Sequence, residues 1–366
     1  MKELNSVKTF AQESAELYTA FKDYADHTLA VERDFKGKQF SAKSLDDKEK
    51  VINKLFADEL AKRSGYKFEG ATNNELAGYS QNPMVRYFAD TISTQLIDMV
   101  LPEILNSSVG LIAEIRYIDW GDSAKFDLEN NALFNVSKAG YRQKNTLFQK
   151  LEDQTVTLAP VMHEVSVITN LFNVLCGRDS IAKYIMKAVK SIEAEMLNEA
   201  WSAFTTAVTA STVPSTLKVT NYGEASAITL AEKVTAWNGG KKAVFAGTPV
   251  ALKALLPSNA NYRYTLDDTF VKLGYIPTFD NYDVVPMPQV ADYASTDYGM
   301  KLDDKKIYVI SPTADKVVKV VVGGTMANTD TGYVNANLAQ TGTIGKAWEC
   351  ACITNSIAGY IGTTTA

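Results

Sequence analysis

Residues 179–208, DSIAKYIMKAVKSIEAEMLNEAWSAFTTAV, carry apolar side chains at Ile181, Tyr184, Ile185, Ala188, Ile192, Met196, Ala200, Phe204 and Val208. Lys183, Lys187, Lys190 and Glu193 fall off that stripe, so the spacing predicts an amphipathic helix rather than a strand. Asp179 is placed to cap its start and Pro214 follows its end, with no Gly or Pro between. At about 1.5 Å per residue the rod is roughly 45 Å long, about twice the usual helix length. A rod of that length needs an equally long partner, and the largely non-helical stretch 110–169 just upstream is the natural candidate.

Within that stretch the period changes to two. Residues 111–120 alternate as a strand, and Gly121, Asp122 and Ser123 supply a turn. Residues 124–152 are rich in Asn, Lys, Gln and Gly, yet they hold Phe126, Leu133, Phe134, Tyr141, Leu147 and Phe148. A solvated loop has little use for so many large apolar groups unless they land on a surface, such as that of another subunit. Residues 155–169 form the return strand, with a change of phase at His163 and Glu164 that predicts a bulge or a switch between sheets.

Upstream, residues 4–31 repeat Val7, Phe10, Leu17, Phe21, Tyr24 and Val31 with near-heptad spacing, which predicts a helix packed on its own chain or on a coiled-coil-like partner. A break is expected at 35–40, then a second helix from Ser44 to a stop at Gly65. Residues 66–82 are polar and contain glycine, and are expected to be a linker or arm. A third helix begins with Asn82 as cap and Pro83 at its first position, and is expected to end before Pro102.

Downstream, residues 217–337 predict a compact α/β region. A helix at 230–237 stops at Gly239 and Gly240, residues 243–246 form a short strand, and Thr248 with Pro249 opens another helix. Residues 284–288 are an extended, Pro-limited strand. Residues 306–310 and 317–322 are expected to form a hairpin around 311–315. The last strand, 343–358, has to pair with something much earlier in the chain.

At 366 residues there is ample chain for two or three domains. A net charge of −5 and the lack of Lys/Arg runs argue against a dedicated basic face for nucleic acid. No apolar run reaches the roughly 18 residues of a membrane helix, and residues 1–17 have no apolar core, so the chain is expected to be soluble and made in the cytosol. Of three cysteines, Cys176 stands alone, and Cys350 and Cys352 would lie about 6.8 Å apart on one strand side, at the edge of disulfide reach. Phosphate-loop, serine-elbow and zinc-binding motifs are missing: Gly239-Gly240-Lys241-Lys242 lacks the first glycine and the hydroxyl of a phosphate loop. The only histidines, His27 and His163, sit where a helix and a strand are expected. Asp267-Asp268 and Asp303-Asp304 suit a solvated or calcium-touching loop better than an acid/base pair. The expectation is a non-enzymatic chain with no catalytic residue, cofactor or metal site. The tyrosines between 262 and 298, including Tyr262 and Tyr264, fit an aromatic binding surface or a subunit contact.

The order of parts resembles the major capsid protein of tailed bacteriophages, the Hong Kong 97 fold. The resemblance rests on EVSVITNLFNVL at 164–175 leading into the long helix, KAVFAGTPV at 242–250, NYDVVPMP at 281–288, and KIYVIS at 306–311 with 317–322. It covers about 105–360 and implies an α+β chain with five parts. These are a helical extension or scaffold-like segment at 1–80, an arm helix at 81–109, an extended β-hairpin loop at 110–169, a peripheral domain with the spine helix at 170–216 and 338–366, and an axial domain at 217–337. It further implies a virion protein, assembled in the bacterial cytoplasm from pentamers and hexamers around double-stranded DNA. Portal, scaffolding and decoration proteins would be its partners, and membranes would not. Trp120, Phe126, Phe134, Tyr141, Phe148, Tyr262 and Tyr264 are then the expected assembly contacts. The family's Lys–Asn crosslink does not carry over, because nothing singles out one of Lys138, Lys144 and Lys150. Two other readings stand beside this one: an encapsulin-like nanocompartment shell, which shares the fold, and a soluble α/β ligand-binding protein or enzyme.

Overall fold

The computed structural model describes residues 5–33, 40–110, 112–128, 136, 154–211, 213–255, 273–287, 289–292, 296–313, 315–329, 340–354 and 356–363. The chain is α+β. It opens with α1 (Asn5–Glu13), α2 (Ala15–Arg33), α3 (Leu45–Ser64), α4 (Asn73–Gln81) and α5 (Pro83–Val109). Then come β1 (Ala113–Tyr117), β2 (Ala124–Leu128), β3 (Gln154–Leu158), β4 (Val161–Thr169), α6 (Leu171–Leu175) and the long helix α7 (Ile181–Thr209). The remainder is β5 (Lys218–Val219), α8 (Glu224–Trp237), β6 (Val244–Gly247), α9 (Pro249–Leu252), β7 (Thr278–Phe279), β8 (Tyr282–Pro286), β9 (Lys306–Ile310), β10 (Val318–Thr329), β11 (Gln340–Cys352) and β12 (Gly359–Gly362). Strands β1-β10-β11-β4 make a four-stranded sheet, β5-β12-β9-β6-β8-β7 a six-stranded sheet, and β2 with β3 a separate ribbon.

Helix α7 is the common wall of both sheets. Its predicted stripe is buried at Ile181, Ile185, Ala188, Ile192, Met196, Ala200, Phe204 and Val208. The same core takes in Ile92 and Leu96 of α5, Val320 of β10, Trp348 of β11, and Tyr308 and Ile310 of β9. Phe204 and Tyr308 meet edge to face with ring centroids 5.0 Å apart. The period-two rule divides β9 cleanly: Tyr308 and Ile310 face α7, while Ile307 and Val309 face a second core with Leu230 and Val234 of α8. Glu193, read as off the stripe, is in fact buried. The cap is Ser180, whose hydroxyl accepts from the Lys183 N–H, and not Asp179.

The N-terminal helices belong to this same core. Two helices, with Ser14 between them, replace the single one expected over 4–31, and Val7, Phe10, Leu17, Phe21 and Tyr24 are buried. Phe10, Leu17, Phe21 and Tyr24 share one core with Ile52, Phe56 and Leu60 of α3 and with the α7 stripe. Ser44 and Gly65 bound α3 as expected, the glycine taking the left-handed conformation at φ 77°. The supposed linker at 66–82 contains α4, opened by a capping box in which Thr72 and Glu75 satisfy each other's backbone N–H groups. Helix α5 starts at the predicted Asn82 and Pro83 but continues through Pro102. The lost bond at Pro102 is outweighed because Val100, Leu101, Ile104 and Leu105 around it are buried. Inside this core, buried Asp98 of α5 accepts from Lys346 of β11 at 2.6 Å and from the Thr325 hydroxyl of β10.

The sheets also redraw the expected boundaries. Strands β9 and β10, read as one hairpin, lie in different sheets, and the segment between them crosses from one to the other. That crossing is held where the Asp315 carbonyl accepts from the Ser356 hydroxyl at 2.7 Å, on the opposite crossing from β11 to β12. So β10 lies in the four-stranded sheet and β12 in the six-stranded one, on the other side of the expected 337/338 boundary in each case. The late strand does pair far back, β11 with β4.

One side chain ties the N-terminal bundle to α7. Asn53 donates through Nδ2 to the Asp179 carbonyl at 2.9 Å and accepts at Oδ1 from the Ile181 N–H at 3.1 Å. Asn53→Ala is expected to cost about 1 kcal/mol, the usual worth of a helix cap, read as a lower urea midpoint with unchanged slope.

Candidate assembly surfaces

The β2–β3 ribbon pairs with neither of the two sheets. Its legs pair from Ala124↔Leu158 to Leu128↔Gln154. Along β2 Ala124, Phe126 and Leu128 point inward and Lys125 and Asp127 outward. Phe126, expected at a subunit contact, is fully buried in its own chain against Val321 of β10, with Ile118 and Leu158 beside it. The Arg116 guanidinium lies 4.5 Å and the Lys319 ammonium 5.6 Å from its ring centroid, both within cation–π range. The ring is therefore an anchor for the ribbon, which explains why an aromatic residue stands in a polar stretch.

The charges around this anchor are paired. Lys319, fully buried, donates to Glu114 at 2.7 Å and to Asp315. Arg116 pairs with Glu114 at 2.8 Å and donates to the Lys125 carbonyl. Burial pushes the Glu114 carboxyl up, but the hydrogen bonds and charges of Lys319 and Arg116 outweigh it and hold the group below its ordinary value.

Trp120 is half exposed at the elbow between β1 and β2. Phe134, Tyr141, Phe148, Tyr262 and Tyr264 lie outside the described residues. Of the tyrosines expected to form an aromatic surface, Tyr298 is exposed; other large exposed side chains are Trp237 at the end of α8, Met300, and Met84 with Tyr87 at the start of α5. Tyr298 is 95% exposed with φ at 54°, on a finger closed by the Asp292 N–H to Gly299 carbonyl bond at 2.8 Å and an Asp292–Lys301 ion pair at 3.3 Å. The Tyr-rich composition pointed to this segment, but the turn that presents Tyr298 has no signature beyond the Gly that follows it.

His163, Asp303 and Asp304 have partners within their own chain, while Asp267 and Asp268 lie outside the described residues. His163 stacks on Trp348 at 3.8 Å, and its Nε2 lies 3.1 Å from Glu199 Oε1, while Trp348 donates to Glu199 Oε2 at 2.6 Å. This strut joins β4 and β11 to α7. The bulge expected at His163 does not occur, since β4 pairs with β11 in unbroken register; the switch between sheets falls at Ala159 and Pro160, where proline supplies no N–H. Cys350 and Cys352 are half-buried free thiols, and burial pushes both up, away from the reactive thiolate. Asp303 accepts from the Lys305 N–H and pairs with Lys306 at 3.1 Å, and Asp304 accepts from Gln289 at 2.9 Å. Among the described residues no group of three His, Cys, Asp or Glu side chains could hold a metal. A cavity of about 330 Å³ at the start of α7 is walled by Phe56, Arg86, Asp90, Tyr184 and Ile344. It lies between these helices and strands β10 and β11 of the four-stranded sheet.

No family model and no curated protein matches the chain. Among solved structures it is similar to a cyanophage capsid, at 11% identity and TM-score 0.45 over 70% of this chain and 87% of that one. It is also similar to the head of a Helicobacter pylori bacteriophage, at 12% and 0.43 over 71% and 91%. A virus-like particle from Pyrococcus furiosus gives 10% and 0.42 over 72% and 97%.

Because the folded value of Glu114 lies below its unfolded one, its contribution to stability is present above the unfolded value and is lost as pH falls through the folded value. Glu114→Gln should lower stability at neutral pH and flatten the loss between roughly pH 5 and pH 2, measured as urea midpoints across that range.

Proposed function

We propose that this chain is the major capsid protein of a tailed double-stranded DNA bacteriophage, building an icosahedral head from pentamers and hexamers. The observation that carries the reading is the arrangement of parts: an anchored β-ribbon, one helix of 29 residues shared by two sheets, and a helix-backed α/β sheet, in the order that the sequence resemblance implies. In such a subunit the body is rigid and the ribbon reaches a neighbour. Closed symmetry then repeats one contact around each capsomer. Exposed Trp237, Tyr298, Met300 and Tyr87 are available to those contacts. Each large apolar side chain buried there contributes on the order of 1.5–3 kcal/mol, and many copies offset the cost of fixing the subunits.

The N-terminal helices are read as a permanent part of the subunit, since they share its core, rather than as a segment removed during assembly. Portal and scaffolding proteins are expected partners, and a decoration protein is compatible with the reading. The interior surface would hold DNA without reading sequence, in keeping with a net charge of −5.

The test is electron microscopy with sizing on the full chain expressed alone and with its scaffold, if the genes beside it encode one. Shells with five- and six-fold capsomers are expected, and DNA packaging into them separates a phage head from a compartment that encloses protein. Replacing residues 129–153 by a short Gly-Ser turn keeps β2, β3 and the Phe126 anchor, and should leave a folded subunit that forms no shells. Normal shells from that variant would refute the role given to the ribbon.

A further inference from the structure

The two legs of the ribbon have to converge from opposite edges of the four-stranded sheet. One row of the sheet runs Tyr117↔Val322↔Trp348↔Val161, across all four strands. Strand β1 ends at that row and β4 begins at it, so the legs depart about 14 Å apart, three strand spacings. They pair with each other about 5 Å apart. To close that gap the elbows, 118–123 on the way out and Ala159 with Pro160 on the way back, must pass over the middle strands β10 and β11.

The middle strands are shaped for this passage. Directly after the row, β10 carries its one register shift: between Val322↔Trp348 and Thr325↔Lys346, Gly323 and Gly324 stand opposite the single residue Ala347. A Cβ on Gly324 would stand 2.8 Å from two ring carbons of Trp120 and closer still to its Nε1. A Cβ on Gly323 would stand 3.0 Å from the Ala347 Cβ and 3.5 Å from the Pro160 ring. The outgoing elbow therefore rests on one glycine and the returning elbow beside the other. A bulge with glycine is the device that both bends a strand and lets another segment approach its backbone.

We infer that the bulge at Gly323 and Gly324 is the seat that fixes the direction in which the ribbon leaves the subunit, with Trp120 and Pro160 as its positioning residues. Trp120 thus belongs first to its own chain, its indole set against Gly324 while about half of its surface stays exposed. The Phe126 anchor holds the ribbon down, and the glycine seat sets its angle. The inference deepens the shell-subunit reading, and only its assembly consequence rests on that reading.

A double-mutant cycle on the full-length chain tests it, with Gly324→Ala, Trp120→Ala and the pair together. The readout is amide hydrogen exchange at 124–128 and 154–158, with 318–322 as the internal control. Gly324→Ala should raise exchange in the ribbon about tenfold and leave the control protected. Trp120→Ala should do the same, and the pair should be no worse than Trp120→Ala alone, since the clash partner is gone. If Gly324→Ala leaves ribbon exchange unchanged, or its effect adds in full to that of Trp120→Ala, the seat does not exist. Should Gly324→Ala fail to fold, Trp120→Ala decides by itself, because it leaves the bulge intact: unchanged ribbon exchange overturns the proposal. Assembly is scored separately by microscopy. A wild-type chain that forms no particles refutes the shell reading while the exchange result stands. Normal particles from a Gly324→Ala chain with raised ribbon exchange would break the link between ribbon angle and assembly.

Discussion

Burial of the α7 stripe is the constraint on which the rest depends. A helix of 29 residues with an apolar face along its whole length cannot be satisfied by one small sheet. The chain meets that demand with three partners: α5 and the N-terminal bundle, the inner face of the four-stranded sheet, and the Tyr308 side of the six-stranded sheet. Each partner is itself incomplete without the helix. Packing of that kind joins these parts through one core, and among the described residues the cluster around α8 forms a second interior.

Charge is used inside this body as a means of registration. Asp98 with Lys346, and part-buried Glu114 and Asp315 with buried Lys319, put ions where an apolar contact would pack with less desolvation cost. Both clusters span elements far apart in sequence, α5 with β11 in one and β1 with β10 in the other. A sheet slipped by one residue would leave either lysine unpaired in the interior, which is expensive enough to exclude the slipped register.

Local signals were legible in the sequence and pairing was not. The α7 stripe, Ser44 and Gly65, Asn82 with Pro83, and the Gly239 stop are each written in a few neighbouring residues, and each is found. Helix α4 was hidden because its glycine and polar residues mask a capping box, and α5 passes Pro102 because burial on both sides overrides a local penalty. The assignment of β9 and β10 to one hairpin failed for another reason: a short Pro-containing link between two strands reads the same whether it turns or crosses between sheets. Phe126 stands out as an aromatic ring in polar company, but periodicity cannot say whether such a ring lands on a neighbour or on Val321 of its own chain. The glycine bulge has no local signature, because its purpose exists only once β1, β4 and the ribbon are placed together.

The late strands have a consequence for how the molecule comes into being. Strand β11 fills the interior of one sheet, between β10 and β4, and β12 fills the interior of the other, between β5 and β9. Until residues 340–362 have left the ribosome, neither sheet can close, and β4, β5, β9 and β10 present unpaired edges along with one bare face of α7. The contacts that complete both sheets are among the most distant in the chain, which makes folding slow and leaves the nascent protein open to aggregation for most of its synthesis. The interval in which chaperones have most to cover is therefore the one before β11 and β12 are available.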